Sequence, residues 1–139
     1  MSKYLIILLL ISLAVRSSAN TQLVIVTRID NQCECSLDFI RKLYLGRVTR
    51  FRDGRPASPI IYKDDLLMQV KFYDQVLHSS APRLRKHWSK LEFSGRGSRP
   101  LMISSFTELQ GKLTCGIGYI GFTELKNVDE TKYRVLHRL

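Results

Sequence analysis

The sequence predicts an α/β domain with a mixed sheet of about five strands flanked by about four helices. Short β-branched or apolar runs alternate along the chain with segments whose apolar residues recur at helical spacing. Glycine, proline and helix-capping residues separate the two kinds of segment. Strands that alternate with helices in this way are typical of a layered structure whose sheet is partly parallel.

The first half of the domain contains two predicted strands and two predicted helices. The β-branched run Gln22 to Ile29 predicts a strand buried on both faces. Ser36 then predicts the N-cap of a first helix. Pro59 to Tyr62 is a short apolar strand, and Asp64 or Asp65 is expected to cap a second helix, along which apolar residues recur every three or four positions.

The second half contains two further helices and three further strands. Pro82 suits the first turn of a third helix. Ser105 and Glu108 form a capping box, which predicts the start of a fourth helix. The three predicted strands are Pro100 to Ser104, Gly116 to Phe122 and the C-terminal run Tyr133 to Leu139.

Residues 1–19 have the pattern of a secretory signal peptide. Lys3 precedes an unbroken apolar stretch from Tyr4 to Val15, and the small residues Ser17 and Ala19 follow at the spacing that signal peptidase recognises. The apolar stretch is shorter than the roughly 20 residues that a membrane-spanning helix needs, although an uncleaved anchor is the alternative. The sequence therefore predicts cleavage after Ala19, a single domain over residues 20–139 and a periplasmic location.

The chain is strongly basic, with a formal net charge of +10, and predicted cleavage lowers it by two by removing Lys3 and Arg16. An exported basic domain could meet anionic lipid headgroups, a small anion, an acidic protein or nucleic acid. Export makes nucleic acid the least expected partner, so we expect none. The basic face of the third helix, Arg83 to Lys90, resembles a polyanion-binding patch, but exposed aromatic residues for base stacking are not expected there, so a solvated face is favoured.

The three cysteines, Cys33, Cys35 and Cys115, suggest a disulfide rather than a metal site. Zinc-binding pairs usually have two to four residues between the cysteines, and no matching second pair follows "CEC". We therefore expect no metal and no other cofactor. In an oxidising compartment a disulfide from Cys115 to either Cys33 or Cys35 is favoured. Three unpaired buried cysteines are the alternative.

Several motifs then occur in one recognisable order. They are "SLDFIRKLYLGRVTRFRDGRPASPI" from Ser36 to Ile60, "HWSKLEFSGRG" from His87 to Gly97, and "GIGY" from Gly116 to Tyr119. In this order and spacing they resemble the short, single-lobe type II periplasmic binding proteins known as phosphate ABC transporter substrate-binding proteins. The resemblance extends from Leu23 to about Leu136.

This resemblance implies one lobe of a two-lobed receptor. In such a lobe the "GIGY" strand runs beside the first strand in the opposite direction, which would place Cys115 near Cys33 and Cys35. The resemblance therefore supports a disulfide between Cys35 and Cys115, with Cys33 as the alternative partner. It also implies a transporter or another envelope protein as a partner. Since one lobe cannot trap a ligand by closing a hinge, a homodimer that rebuilds the cleft is expected.

The resemblance also suggests where an anion would bind. Phosphate-binding relatives have a Ser-Gly-Thr type of turn at the start of a helix, where free N–H groups and the helix dipole hold the anion. The matching residues are Lys63, Asp64 and Asp65. The two carboxylates can cap the helix themselves and would repel an anion, and Lys63 offsets their charge only in part.

The loop after the third helix is a second candidate for anion binding. Arg96 and Arg99 flank Gly97 and Ser98, so that guanidinium groups and backbone N–H groups could converge on an anion. The alternative interpretation is a solvated turn that Trp88 and Phe93 anchor to the core. We favour this structural interpretation and keep the four loop residues as candidate ligand contacts.

No catalytic set can be assembled from the sequence. The three histidines, His78, His87 and His137, lie far apart, and no Ser-His-Asp, paired-carboxylate or thiol-histidine arrangement is evident. The sequence therefore predicts a non-enzymatic, exported domain like a substrate-binding protein, with a small anion such as phosphate as its candidate ligand. The alternative is an interaction module of an envelope assembly or signalling system that binds no small ligand.

Overall fold

A five-stranded mixed sheet with helices on both faces forms the centre of the domain. The computed structural model describes residues 22–139, so the predicted signal peptide, residues 1–19, lies outside the described residues. The predicted α/β class is confirmed. In chain order the strands are β1 (Leu23–Arg28), β2 (Ser58–Tyr62), β3 (Leu101–Ile103), β4 (Tyr119–Glu124) and β5 (Tyr133–Arg138).

Four α-helices connect these strands, as the sequence predicts. At the start of the first helix the Ser36 side chain accepts a hydrogen bond from the Phe39 N–H at 3.1 Å, which confirms the predicted cap. The helices are α1 (Leu37–Tyr44), α2 (Leu67–Phe72), α3 (Ala81–Phe93) and α4 (Phe106–Cys115). A π-helical turn, Tyr73–Leu77, continues α2, and a 3-10 turn, Leu125–Asn127, follows β4.

The strands lie in the order β3-β2-β4-β1-β5. β2 is parallel to β3 and β4, whereas β1 is antiparallel to both β4 and β5. Leu23 at the start of β1 therefore pairs with Glu124 at the end of β4, as the resemblance implies for the first strand and the strand after "GIGY". The carboxyl ends of β2, β3 and β4 share one side of the sheet with the start of β1, and we call this side the carboxyl edge.

A cluster around Tyr44 holds three helices against one face of the sheet. The Tyr44 ring lies 4.8 Å from the Phe72 ring, which stacks on Phe122 of β4 at 4.0 Å between centroids. The Tyr44 hydroxyl donates to the Ile60 carbonyl oxygen at 2.9 Å, and burial raises the pKa of this hydroxyl well above its ordinary value. The Trp88 Nε1–H of α3 donates to the Tyr44 carbonyl oxygen at 2.8 Å, so α3 packs on the outside of α1.

The fourth helix covers the opposite face of the sheet. Leu109 of α4 is fully buried and packs directly over Gly121 of β4, where a Cβ atom would overlap the leucine side chain. Side chains alternate between the two faces along β4. Phe122 therefore lies on the face that α1, α2 and α3 cover. Gly121 lies on the opposite face, which α4 covers.

The disulfide joins Cys33 to Cys35, and Cys115 is an exposed free thiol. The Cα atoms of Cys33 and Cys35 lie 5.3 Å apart, within the ordinary range for a disulfide. The predicted disulfide between Cys35 and Cys115, and its alternative between Cys33 and Cys115, are therefore wrong.

The physical reason is that the two cysteine segments lie on opposite faces of β1. Arg134 of β5, which pairs with Thr27, donates from Nη1 to the Cys33 carbonyl oxygen at 3.2 Å. Arg28, the next residue along β1, points to the other face and donates to the Thr114 carbonyl oxygen at 3.2 Å, at the end of α4. The sheet therefore lies between the disulfide and the free thiol.

Gly118 lies where the chain enters β4 beside the Arg47–Ala57 loop. The Ser58 N–H donates to the Gly118 carbonyl oxygen at 2.9 Å, and a Cβ atom at Gly118 would overlap the Pro56 carbonyl oxygen. The atoms that a Cβ at Gly118 would meet first belong to the Pro56 backbone, which cannot move aside as a flexible side chain could. The second glycine of "GIGY", Gly118, is therefore required by the close approach of two backbones.

We expect Gly118→Ala to lower the free energy of unfolding by about 3 kcal/mol, because the added methyl group meets backbone and not a flexible side chain. The matched control is Gly111→Ala in α4, where a Cβ atom meets nothing within 4 Å. The control is expected to raise stability by up to about 1 kcal/mol through helix propensity. Urea denaturation of both variants measures the difference, and equal stabilities would contradict this account of the strand start.

Candidate functional site

The carboxyl edge brings the ends of β2 and β3 side by side. The parallel register pairs Tyr62 with Ile103, and the Lys63 N–H extends the ladder by donating to the Ile103 carbonyl oxygen at 2.8 Å. Lys63 therefore lies next to Ser104, the first residue after β3. The Lys63 ammonium is exposed and forms no ion pair within residues 22–139.

Gln69 fixes the backbone of the bend that carries Lys63. The Gln69 side chain is only 1% exposed. Its Oε1 accepts from the Tyr62 N–H at 2.6 Å, and its Nε2 donates to the carbonyl oxygens of Tyr62 and Asp64 at 3.0 and 3.2 Å. Sequence reasoning missed this residue. The only signal was one polar residue among the apolar positions at the start of α2.

The predicted cap at Asp64 or Asp65 is wrong. The N-cap of α2 is Leu66, and no side chain of residues 22–139 caps the first turn by a hydrogen bond. The reason is that Gln69 holds the bend against β2, so the helix begins one residue later than an Asp65 cap would allow. Asp65 instead forms an ion pair with Arg85 of α3 at 2.9 Å, which partly neutralises one of the two carboxylates beside Lys63.

The start of α4 is the second element of the carboxyl edge. Ser105 Oγ accepts from the Glu108 N–H at 3.2 Å, which confirms Ser105 as the predicted N-cap. Glu108 Oε2 accepts from the Ser104 N–H at 2.6 Å, one residue before the N–H that a capping box uses. The hydroxyls of Ser104 and Thr107 make no hydrogen bond within the described chain from residue 22 onward, and both residues are exposed. Ser104, Ser105 and Thr107 were not predicted as site residues, although three hydroxyls at a helix start after a strand would have been a signal.

The Arg96 to Arg99 loop, by contrast, is held by its own chain. Gly95 adopts a left-handed conformation (φ 67°), and the Arg96 N–H donates back to the Leu91 carbonyl oxygen at 3.0 Å, which ends α3. Arg99 forms two hydrogen bonds of 2.9 Å to the Glu92 carboxylate, through Nε and Nη2. One of the two guanidinium groups that could converge on an anion is therefore already occupied.

The interpretation of this loop as a structural turn agrees with the position of Trp88 but not with that of Phe93. Gly97 and Ser98 lie against Gly46, as expected for a structural turn, since a Cβ atom at Gly97 would be 3.9 Å from the Gly46 carbonyl oxygen. Trp88 is buried as expected, but Phe93 is 98% exposed and does not anchor the loop. The reason is that Phe93 lies on the opposite side of α3 from Trp88. Contact of the loop with an anion stays a prediction.

The two predicted anion segments lie at opposite ends of the sheet. Lys63, Asp64 and Asp65 follow the carboxyl end of β2, whereas Arg99 precedes the amino end of β3, and these two strands are parallel. A single small ligand cannot contact both segments. The carboxyl edge is the candidate functional site, because ligands of open α/β sheets bind outside the carboxyl ends of the strands.

Neither a metal-binding cluster nor a membrane-spanning helix occurs within residues 22–139. No three His, Cys, Asp or Glu side chains of this range lie close enough together to hold a metal ion. In the same range no helix is both long enough and apolar enough to cross a bilayer.

The domain is similar in structure to known binding proteins, although its sequence is not. No family model and no curated protein matches the sequence. A candidate phosphate ABC transporter substrate-binding protein from Clostridium perfringens, solved with bound phosphate, has 13% identity and a TM-score of 0.59, over 80% of this chain and 42% of that one. The chain has the fold of one lobe of a periplasmic binding protein.

Two further structures share the lobe. An ABC-type phosphate transport receptor from Vibrio cholerae has 11% identity and a TM-score of 0.60, over 84% of this chain and 45% of that one. A candidate phosphate-binding protein from Planctomyces limnophilus has 13% identity and a TM-score of 0.55, over 83% of this chain and 40% of that one. The lobe therefore spans less than half the length of each of these proteins.

The Arg99 ion pair predicts a specific pH dependence in the lobe. Hydrogen bonds from Arg99 hold the pKa of Glu92 below its ordinary value. A carboxyl group whose pKa is lower in the folded state stabilises the protein above its unfolded-state pKa, and this contribution is lost as the pH falls through the folded-state pKa. We expect Arg99→Gln to raise the pKa of Glu92 toward its ordinary value, as measured by NMR titration of the side-chain carboxyl carbon.

The control for this titration is Arg96→Gln, which removes an equal charge from the same loop. Within residues 22–139 Arg96 makes only a backbone hydrogen bond, so this variant should leave the pKa of Glu92 unchanged. If both variants raised the pKa equally, the effect would come from the general field of the loop and not from the ion pair.

Proposed function

We propose that the chain is an exported, non-enzymatic binding domain that recognises a small oxyanion such as phosphate at the carboxyl edge. The observation that carries this proposal is the position of Lys63 beside Ser104, which the extended ladder between β2 and β3 produces. The fold of a binding-protein lobe supports the choice of this edge. Phosphate is the ligand to test first, because phosphate is bound in the Clostridium perfringens structure.

The chemistry of this edge suits an oxyanion in three respects. The Lys63 ammonium supplies a positive charge and up to three donors. Ser104 and Thr107 present hydroxyls that can donate to phosphate oxygens. The start of the ten-residue helix α4 adds the positive end of a helix dipole.

The carboxylates of the edge limit its affinity. Asp65 is partly neutralised by Arg85, and the Glu108 carboxylate is directed to the Ser104 N–H. Asp64 remains exposed next to Lys63 and forms no ion pair within residues 22–139. Since one lobe also leaves the anion open to solvent, we expect a dissociation constant on the order of 1 mM.

The histidines support a non-enzymatic role, because each contacts a group that is not a nucleophile. His87 and His137 hydrogen-bond the carbonyl oxygens of Leu45 and Cys35 at 2.8 and 2.6 Å. His78 lies 3.0 Å from the Arg41 guanidinium. None of these arrangements pairs a general base with a hydroxyl or a thiol.

The test is an NMR titration of the ¹⁵N-labelled chain with phosphate and with sulfate. We expect saturable shifts of the Lys63, Ser104 and Ser105 amides, and about fivefold to tenfold weaker binding by Lys63→Gln, which loses a charged contact. Arg96→Gln removes an equal charge at the opposite end of the sheet and should leave the affinity unchanged. Saturable shifts confined to Gly97 and Ser98 would move the site to the loop after α3. The absence of saturable shifts with either anion would contradict anion binding at both places.

A second candidate function is a protein-interaction module, and exposed apolar residues favour it. Leu66, Leu67 and Val70 at the start of α2 are 42%, 74% and 46% exposed beside the carboxyl edge. An apolar patch of this kind suits contact with another protein. The partner would be a transporter or another envelope protein, or a second copy of the chain in a homodimer that rebuilds a two-lobed cleft.

The homodimer is tested by light scattering over a range of protein concentrations. If it forms through this patch, Leu67→Asp should weaken the dimer by at least about tenfold, because a charge replaces an apolar contact. Leu101→Asp on β3, where Leu101 is 38% exposed, is the matched control and should have little effect. A monomer at all concentrations rules out the homodimer, and the anion titration is then interpreted for a single lobe.

A further inference from the structure

Helix α3 presents one stripe of cations that ends in an aromatic residue. Arg83, Lys86, Lys90 and Phe93 are all exposed, and we call these four residues the α3 stripe. At 3.6 residues per turn they fall within an arc of about 80° on the helix. The buried residues Leu84 and Trp88 lie on the opposite side. The α3 stripe therefore faces directly away from the core.

The charges of the α3 stripe are not compensated by neighbouring carboxylates. Among the described residues 22–139, Arg83, Lys86 and Lys90 form no ion pair. The only carboxylate in α3, Glu92, is held by Arg99 at 2.9 Å. This distinguishes the α3 stripe from Arg85 of the same helix, which forms an ion pair with Asp65 at 2.9 Å.

The exposure of Phe93 is a second feature of this surface, independent of its charge. Its side chain is 98% exposed, more than any other large apolar residue among residues 22–139. A phenylalanine in this position gains nothing from the core of the domain. It lies at one end of the α3 stripe, three residues before Arg96, whose side chain is also exposed and forms no ion pair in the described part of the chain.

We propose that the α3 stripe docks the domain on an anionic lipid bilayer. Cations on one arc of a helix can meet the headgroups of a flat surface together, and each adds attraction within the range set by the ionic strength. Phe93 inserts at the boundary between headgroups and acyl chains, as aromatic and apolar residues do in surface-bound helices. A polyanion without aromatic bases, such as heparin, would be attracted by the cations but would gain little from a single aromatic residue at the end of the stripe.

The experiment is vesicle flotation of the purified chain that begins at residue 20. Vesicles of mixed phosphatidylglycerol and phosphatidylcholine are compared with vesicles of phosphatidylcholine alone. We expect binding to the anionic vesicles only, and weaker binding as salt is added. Lys90→Gln should weaken this binding about fivefold, and Phe93→Ala should weaken it about tenfold because the apolar anchor is lost.

The matched control is Arg85→Gln, which removes the same charge from the same helix but outside the α3 stripe. It should change vesicle binding by less than twofold. Equal effects of Arg85→Gln and Lys90→Gln would overturn the proposal, because attraction would then follow only the net charge. Binding of the same variants to heparin is measured in parallel. If Phe93→Ala binds vesicles normally and Lys90→Gln no longer binds heparin, the stripe is a polyanion site instead. No binding of the wild-type chain to anionic vesicles would also overturn it.

Discussion

The position of β1 between β4 and β5, antiparallel to both, is the constraint on which the rest of the structure depends. Leu23 to Val26 are almost completely buried, so β1 forms the centre of the core and not a border of the sheet. Its direction places Leu23 beside Glu124 and so assembles the carboxyl edge from β1, β2, β3 and β4. Its alternating side chains also divide the molecule into two faces, and this division separates the disulfide from Cys115.

The sequence predicted those parts of the fold whose cause is local. Ser36 and the pair Ser105 and Glu108 were recognised as caps because their hydrogen bonds reach only three or four residues along the chain. Helices and strands were recognised because burial on one face leaves a period in the sequence. Even the antiparallel neighbours β1 and β4 were anticipated, although only through resemblance to a family and not through any local pattern.

The errors have separate causes, and only the disulfide error depended on contacts between residues that are distant in the sequence. Whether Cys115 meets Cys35 depends on which side of β1 each segment takes, and a shift of one residue along a strand reverses that side. The cap at Asp65 failed because the buried amide of Gln69 competes for the same bend. Phe93 was assigned to the core because aromatic residues usually are buried, yet its helical position places it opposite Trp88.

The net positive charge is distributed in a way that makes two separate surfaces possible. At the carboxyl edge Lys63 is surrounded by acidic residues, so selectivity there must come from hydroxyls and geometry more than from charge. In the α3 stripe the cations form no ion pair within residues 22–139, so the long-range attraction there comes from uncompensated charge. Because α3 packs outside α1 through the bond from Trp88 to Tyr44, its free side points away from the sheet, whereas the carboxyl edge lies at the strand ends. A lobe that rests on a bilayer through α3 would therefore keep the carboxyl edge open to a ligand or to a partner protein.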